Sequence, residues 1–108
     1  MTIAYRSAGR FFGEKQGNPA KALQYLEIAN QRKANDPETL RLLGIASGIT
    51  GNGVKAVQYL EQAAKLEPEN ASVLWNLASA LGANGQVDRA NQLREKALKI
   101  DPSIGQGN

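Results

Sequence analysis

The sequence repeats itself with a period of 34 residues. The segment KALQYLEIA at Lys21–Ala29 returns as KAVQYLEQA at Lys55–Ala63. A third copy is indicated by four residues that recur 34 positions later: Gly51 as Gly85, Ala56 as Ala90, Ala63 as Ala97 and Pro68 as Pro102. Repeats of this length built from helices predict a solenoid, because each unit buries its apolar face only against its neighbours.

Each period contains two predicted helices. Apolar residues such as Val57, Leu60 and Ala64 follow steps of three and four, as on one helix face, and strand alternation is missing. Asp36 and Asn70 stand where an N-cap is expected. The predicted helices are Thr2–Lys15, Pro19–Ala34, Pro37–Thr50, Val54–Leu66, Ala71–Asn84 and Val87–Ile100. Because the loops are short, consecutive helices should lie antiparallel, which predicts an all-α fold of three helix hairpins.

Composition narrows the functional classes. The 108 residues have the length of one domain and include no cysteine and no histidine, so neither a thiolate nor an imidazole is present for catalysis or metal binding. The net charge of +3 is spread along the chain, and no run of apolar residues is long enough for a membrane span. We therefore expect no enzyme activity, metal or cofactor, and a soluble protein, cytoplasmic or periplasmic, without a membrane or nucleic-acid partner.

The residues within each period resemble those of the tetratricopeptide repeat, whose signature is W-x2-L-G-x2-Y, A-x3-F and P. The middle period has Leu40-x2-Leu43-Gly44-x2-Ser47, Ala56-x3-Leu60 and Pro68, and the last has Leu74-x2-Leu77-Ala78-x2-Leu81, Ala90-x3-Arg94 and Pro102. The first period matches only at Ala22 and Leu26. The resemblance implies one domain over 1–108, with repeats near 3–36, 37–70 and 71–104 and a flexible tail at 103–108.

The family's fold is a right-handed α-solenoid, and in it small residues allow the two helices of a hairpin to approach. The resemblance places Gly44 and Ala78 at that seam, facing Ala22, Ala56 and Ala90. The first helices of successive repeats line a concave groove that binds a peptide. The groove residues implied are Glu38, Arg41, Leu42, Ile45, Ile49, Ser72, Trp75, Asn76, Ser79 and Ala83, with Ser7 and Phe11 from the first repeat.

Two of these residues carry more specific expectations. The only tryptophan, Trp75, lies one position after the usual tryptophan slot and is predicted to face the groove, where a large rigid side chain binds well; the alternative is that it packs inward between repeats. Asn76 falls where many members keep an asparagine that binds the peptide backbone. The subset that grips a terminal carboxylate is not indicated, because its slots hold Ser7, Phe11, Leu42 and Ser72.

The sequence therefore predicts a protein-interaction module that binds a peptide or partner protein, as part of a larger assembly. One alternative is a self-associating structural domain, possible as a homodimer, of a bacterial secretion, pilus or polysaccharide-export system. A less favoured alternative is single-stranded RNA binding. Asn91 and Arg94 replace apolar residues of the earlier repeats, which indicates a polar cap on the last helix; the other interpretation pairs Leu98 and Ile100 with a second subunit.

Overall fold

The structure, a computed structural model, describes residues 17–105. Within this range it contains helices and no strand, which confirms the all-α class. The helices are α1 (Pro19–Arg32), α2 (Pro37–Ile49), α3 (Gly53–Leu66), α4 (Ala71–Ala83) and α5 (Val87–Ile100). The predicted helix Thr2–Lys15, with Ser7 and Phe11, lies outside the described residues.

Side chains cap the starts of four helices. Asp36 Oδ2 accepts hydrogen bonds from Thr39 N at 3.3 Å and from Thr39 Oγ1 at 2.6 Å, and Asn70 Oδ1 accepts from Val73 N at 3.2 Å. Both predicted caps are confirmed. Asn18 and Asn52 cap α1 and α3 in the same way. In each case the side chain accepts a hydrogen bond from a backbone N–H of the first turn, which has no partner within the helix.

The helix ends agree with the predictions to within two residues. The largest difference is at α1, which ends at Arg32 rather than Ala34 because Lys33 is already extended and Asn35 has a φ of 62°. Asparagine tolerates this left-handed conformation better than most residues. After α2, Gly51 has a φ of 92°, and the Asn52 N–H returns to the Ser47 carbonyl at 2.8 Å. Glycine ends a helix in this way because it adopts the left-handed conformation without steric cost.

The helices pack in sequence order. Each one contacts the next along the chain, and α2 also contacts α4. The leucines that occupy aromatic positions of the repeat are inside: Leu40, Leu60 and Leu74 are each 3% exposed or less. Leu60 of α3 packs against Leu77 and other residues of α4, so one repeat is joined to the next by a shared apolar interior.

The seam of small residues is confirmed, but its contacts are shifted from the predicted ones. A Cβ added at Gly44 would collide with the side chain of Leu60, whereas Ala56 lies opposite Gly48 at 3.7 Å from the position of an added Cβ. Ala56 therefore meets α2 one helical turn further along than the prediction placed it. The shift allows the larger Leu60 side chain to occupy the space that a side chain at position 44 would fill.

An ion pair connects α3 and α5, the second helices of the last two hairpins. Both terminal nitrogens of Arg89 on α5 donate to the carboxylate of Glu61 on α3, at 2.7 and 3.0 Å. The hydrogen bonds from Arg89 lower the pKa of Glu61, and the same bonds raise the pKa of Arg89. Both side chains are more than a third exposed, and an ion pair this open to water adds little stability.

Candidate functional site

A groove with a volume of about 310 Å³ opens between α2, α3 and α4. All of the residues that line it are uncharged, and most are small or apolar. They are Gly44, Ile45, Gly48, Ile49, Gly53, Ala56, Leu60, Asn76, Ser79, Ala80 and Ala83. The groove therefore offers an apolar surface with few polar groups, as binding sites for small segments usually do.

Five residues predicted from the sequence come together on this groove. Ile45 and Ile49 lie one turn apart on α2, and Asn76, Ser79 and Ala83 follow helical spacing along one face of α4. Ile49 is 65% exposed although it is a large aliphatic side chain. The two helices thus present one wall each to the same concave space.

The depth of the groove comes from residues that the sequence analysis did not assign to it. Gly48, Gly53 and Ala80 lie in the lining, and their small size leaves the space open. At one end, Asn84 Nδ2 donates to the Gly53 carbonyl at 3.0 Å, and its side chain occupies the place where a Cβ of residue 53 would lie. The sequence signal for this open end of the groove is Gly53, a second glycine after Gly51. The equivalent position of the next repeat holds Val87.

A polar network lies beside the groove and joins its two walls. Arg41 on α2 donates through Nε and Nη2 to the two carboxylate oxygens of Glu38, both at 2.9 Å. Its remaining terminal nitrogen, Nη1, lies 3.1 Å from Oδ1 of Asn76 on α4. Asn76 is thereby connected to α2 as well as exposed to the groove.

Three predicted groove residues are located elsewhere. Leu42 is 7% exposed and packs with Ala22 and Leu26 of α1, because the angular position of this residue on α2 points it toward the preceding helix. Ser72 is exposed on the first turn of α4 and does not line the groove. Trp75 is also absent from the lining. Like Glu38 and Arg41, which lie beside the groove, these three residues are not part of its lining.

Trp75 instead covers the end of the last hairpin. The indole packs in a cluster with Leu74, Ala97 and Ile104, and the backbone of Gly105 lies so close to the ring that an added Cβ would collide with it. Arg94 Cζ is 5.7 Å from the ring centroid, a distance at which a cation attracts an aromatic face. Trp75 therefore packs inward, as the alternative interpretation had it, but against α5 and the segment that follows.

Acidic side chains do not gather into a metal site in the described part of the chain, residues 17–105. In the same range, no helix combines the length and the apolar character that a membrane span requires.

Sequence comparison gives the family. A model of the tetratricopeptide repeat matches residues 50–103, the range that holds the groove's α3 and α4 and the whole last hairpin. The chain belongs to the tetratricopeptide repeat family. None of the curated protein sequences matches it significantly.

Solved structures give the same fold. A Thermobaculum terrenum O-GlcNAc transferase mutant matches with a TM-score of 0.89 at 29% identity over 95% of this chain, and this chain spans 20% of that protein. MamA matches with a TM-score of 0.89 at 21% identity, over 95% of this chain and 60% of its own. The first such repeat domain of Spaghetti (RPAP3), bound to the HSP90 peptide SRMEEVD, matches with a TM-score of 0.90 at 15% identity, over 97% and 82%.

These matches confirm the predicted solenoid of helix hairpins. Domains of this family typically act as non-catalytic protein-interaction modules, although one matched chain is a glycosyltransferase. The coarse functional class follows from the family, whereas the surface that binds and the partner that is bound depend on the residues of this chain.

Proposed function

We propose that this domain binds a segment of a partner protein in the groove between α2 and α4 and acts as a non-catalytic scaffold within a larger assembly. The observation that carries the proposal is the groove itself, with its uncharged lining and its exposed Ile49. A large aliphatic side chain that is left in water gains roughly 1.5–3 kcal/mol when a ligand covers it fully. The exposed isoleucine is thus an anchor for an apolar ligand side chain.

The groove differs in chemistry from one that suits an acidic peptide. Its lining residues carry no charge, and an ionised carboxylate buried without a partner is strongly disfavoured. SRMEEVD, the peptide bound by the Spaghetti domain, is therefore a suitable negative probe. We expect it not to compete for this groove.

The test is a selection of peptides from a displayed random library on the full 108-residue chain, followed by affinity measurements by fluorescence anisotropy. Ile49→Asn should weaken the selected peptides by roughly tenfold or more, as expected for the loss of a buried apolar anchor. Val54→Asn is the matched control, because Val54 is 67% exposed but does not line the groove.

Equal binding by the wild type and Ile49→Asn, or failure of the wild type to select any peptide, would contradict the proposal. Loss of binding in Val54→Asn as well as in Ile49→Asn would show a general effect on the fold rather than a groove, and circular dichroism of both variants separates the two cases.

A further inference from the structure

Residues 101–105 form a short strap that returns from the end of α5 to α4. Ile104 packs in the cluster that contains Leu74 and Trp75, and the backbone of Gly105 lies directly against the indole ring. Gly105 has a φ of 80°, a conformation that residues with a Cβ rarely adopt. The strap therefore reaches the indole only because residue 105 is a glycine, which suits both the backbone conformation and the space that is left.

The strap occupies the positions at which the preceding repeat begins its next helix. Residues 101–105 follow residues 67–71 by the repeat period of 34. In the preceding repeat these positions include Asn70, whose side chain caps α4. The equivalent residue of the strap is Ile104, which has no side-chain oxygen with which to cap a helix. The chain thus uses these positions to cover the indole.

Apolar contact, rather than hydrogen bonding, holds the strap on α4. Ser103 donates from N and Oγ to Asp101 Oδ1, at 3.0 and 2.7 Å, and Ile104 N donates to the Asp101 carbonyl at 3.1 Å. Among the described residues, no hydrogen bond joins residues 103–105 to α4. A segment that is bonded mainly within itself detaches at a low free-energy cost, because few interactions with the rest of the molecule are lost.

The covered surface also holds a cation that has no carboxylate partner in the described part of the chain. Arg94 Cζ lies 5.7 Å from the centroid of the Trp75 ring, and Arg94 Nη1 donates to the neutral amide oxygen of Asn91 at 3.0 Å. The ion pairs within residues 17–105 are made by other side chains. The strap has a carboxylate of its own, but it accepts from Ser103. Arg94 is half-buried, so water and salt would screen a carboxylate beside it less than at an exposed arginine.

We propose that the strap reversibly covers a docking surface formed by Trp75, Leu93 and Arg94, whose ligand is a partner segment with an aliphatic side chain next to a carboxylate. The packing of Ile104 shows which kind of side chain suits the indole. The carboxylate suits Arg94, to which the strap offers none. A ligand that carries both groups makes an ionic contact that the strap lacks, and it therefore displaces the strap.

This surface is separate from the groove. Trp75, Leu93 and Arg94 are all absent from the groove lining, so the inference goes beyond the function proposed above and does not depend on it. Because the strap occupies the surface, a ligand binds only the fraction of chains in which the strap has detached, and its apparent affinity is reduced by that fraction. Opening the strap by mutation therefore strengthens binding without adding a contact.

Two variants open the strap in different ways. Gly105→Val adds a Cβ that collides with the indole and disfavours the positive φ, whereas Ile104→Asn removes the apolar anchor. In both variants the tryptophan emission maximum should move to longer wavelength, because the indole of Trp75 enters water. Ile100→Asn is the matched control, since Ile100 is 39% exposed and does not belong to the indole cluster. An emission maximum that stays the same in both strap variants would overturn the inference.

The ligand is tested by selecting peptides from a displayed random library on the Gly105→Val chain, after depletion on the wild type. The selected peptides should combine Asp or Glu with a nearby Leu, Ile or Val. Fluorescence anisotropy should show that Ile104→Asn binds them as Gly105→Val does, and that the wild type binds them roughly tenfold or more weakly. Arg94→Gln in the Gly105→Val chain keeps a donor for Asn91 but loses the charge, and should weaken binding by roughly tenfold.

The outcomes distinguish this surface from the groove. Ile49→Asn in the Gly105→Val chain should leave the affinity of these peptides unchanged. Peptides that depend on Ile49 but not on Arg94 would overturn the inference and leave the groove function intact, and so would a selection that enriches no peptide. Equal affinity of the wild type and both strap variants would show that the strap does not cover the binding surface.

Discussion

At Gly44, α2 and α3 pack so closely that there is no room for a side chain. Leu60, 2% exposed, fills the space above it, and any Cβ there would collide with the leucine. Gly48 lies one turn further along the same helix and has room, because the nearest atom to an added Cβ is the Cβ of Ala56 at 3.7 Å. Two glycines in one helix are therefore expected to respond oppositely to the same substitution.

We expect Gly44→Ala to lower stability by roughly 1–3 kcal/mol, the cost of overpacking a filled core, and thermal unfolding should show a midpoint several degrees lower. Gly48→Ala is the control. It should be neutral or stabilise by roughly 0.5–1 kcal/mol, because alanine favours a helix more than glycine does. A lower midpoint for Gly48→Ala than for Gly44→Ala would contradict the packing described here.

At the scale of a helix, capping differs among equivalent positions of the repeats. Asn18 and Asn52 accept from the backbone N–H of Lys21 and Lys55, each at 3.1 Å. The equivalent residue before α5 is Gln86, whose side chain makes no capping bond. The longer side chain of glutamine does not place its oxygen where the short one of asparagine does, so α5 begins without this contact.

We expect Gln86→Asn to stabilise the protein by about 1 kcal/mol, the usual size of an N-cap contribution, with a corresponding rise in the thermal midpoint. The reciprocal change, Asn52→Gln, should lower it by a similar amount. The capping account would be wrong if both changes shifted the midpoint in the same direction.

The helices also show how far the sequence predicts this fold and where it does not. The period, the apolar spacing and the caps locate α2 to α5 to within one residue, because these signals are local. The direction of a side chain around a helix depends on crossing geometry that the repeat period does not give. The resemblance therefore places Leu42 and Trp75 on the groove, whereas in the structure Leu42 packs on α1 and Trp75 packs on α5.

At the scale of the whole molecule, polar and aromatic groups lie together on the last hairpin. Arg94 Nη1 donates to Asn91 Oδ1 at 3.0 Å and the Arg94 guanidinium lies over the Trp75 ring, and Ile104 packs against the same buried cluster as the indole. The equivalent residues of the preceding repeat are Val57 and Leu60, which pack on the next helix. The last hairpin therefore has polar side chains at the positions where the preceding repeat has apolar side chains that pack on the next helix.

We expect the double variant Asn91→Val with Arg94→Leu to associate end to end, because it restores the residues with which one repeat stacks on the next. Light scattering over a concentration series should give a constant monomer mass for the wild type and a rising mass for the variant. An Asn91→Ser variant with Arg94→Lys is the polar control and should stay monomeric. A double variant that remains monomeric would show that these two residues do not prevent stacking.

The central claim is that the groove between α2 and α4 is the surface that binds a partner. It is tested most directly by backbone amide chemical shifts of the ¹⁵N-labelled chain during titration with a peptide that the wild type selects. We expect the largest changes at Ile45, Ile49, Asn76, Ser79 and Ala83, and small changes at Lys55 and Gln58, which are exposed on α3 and do not line the groove. The largest changes at Lys55 and Gln58 or on α5, with the groove residues unmoved, would contradict the account.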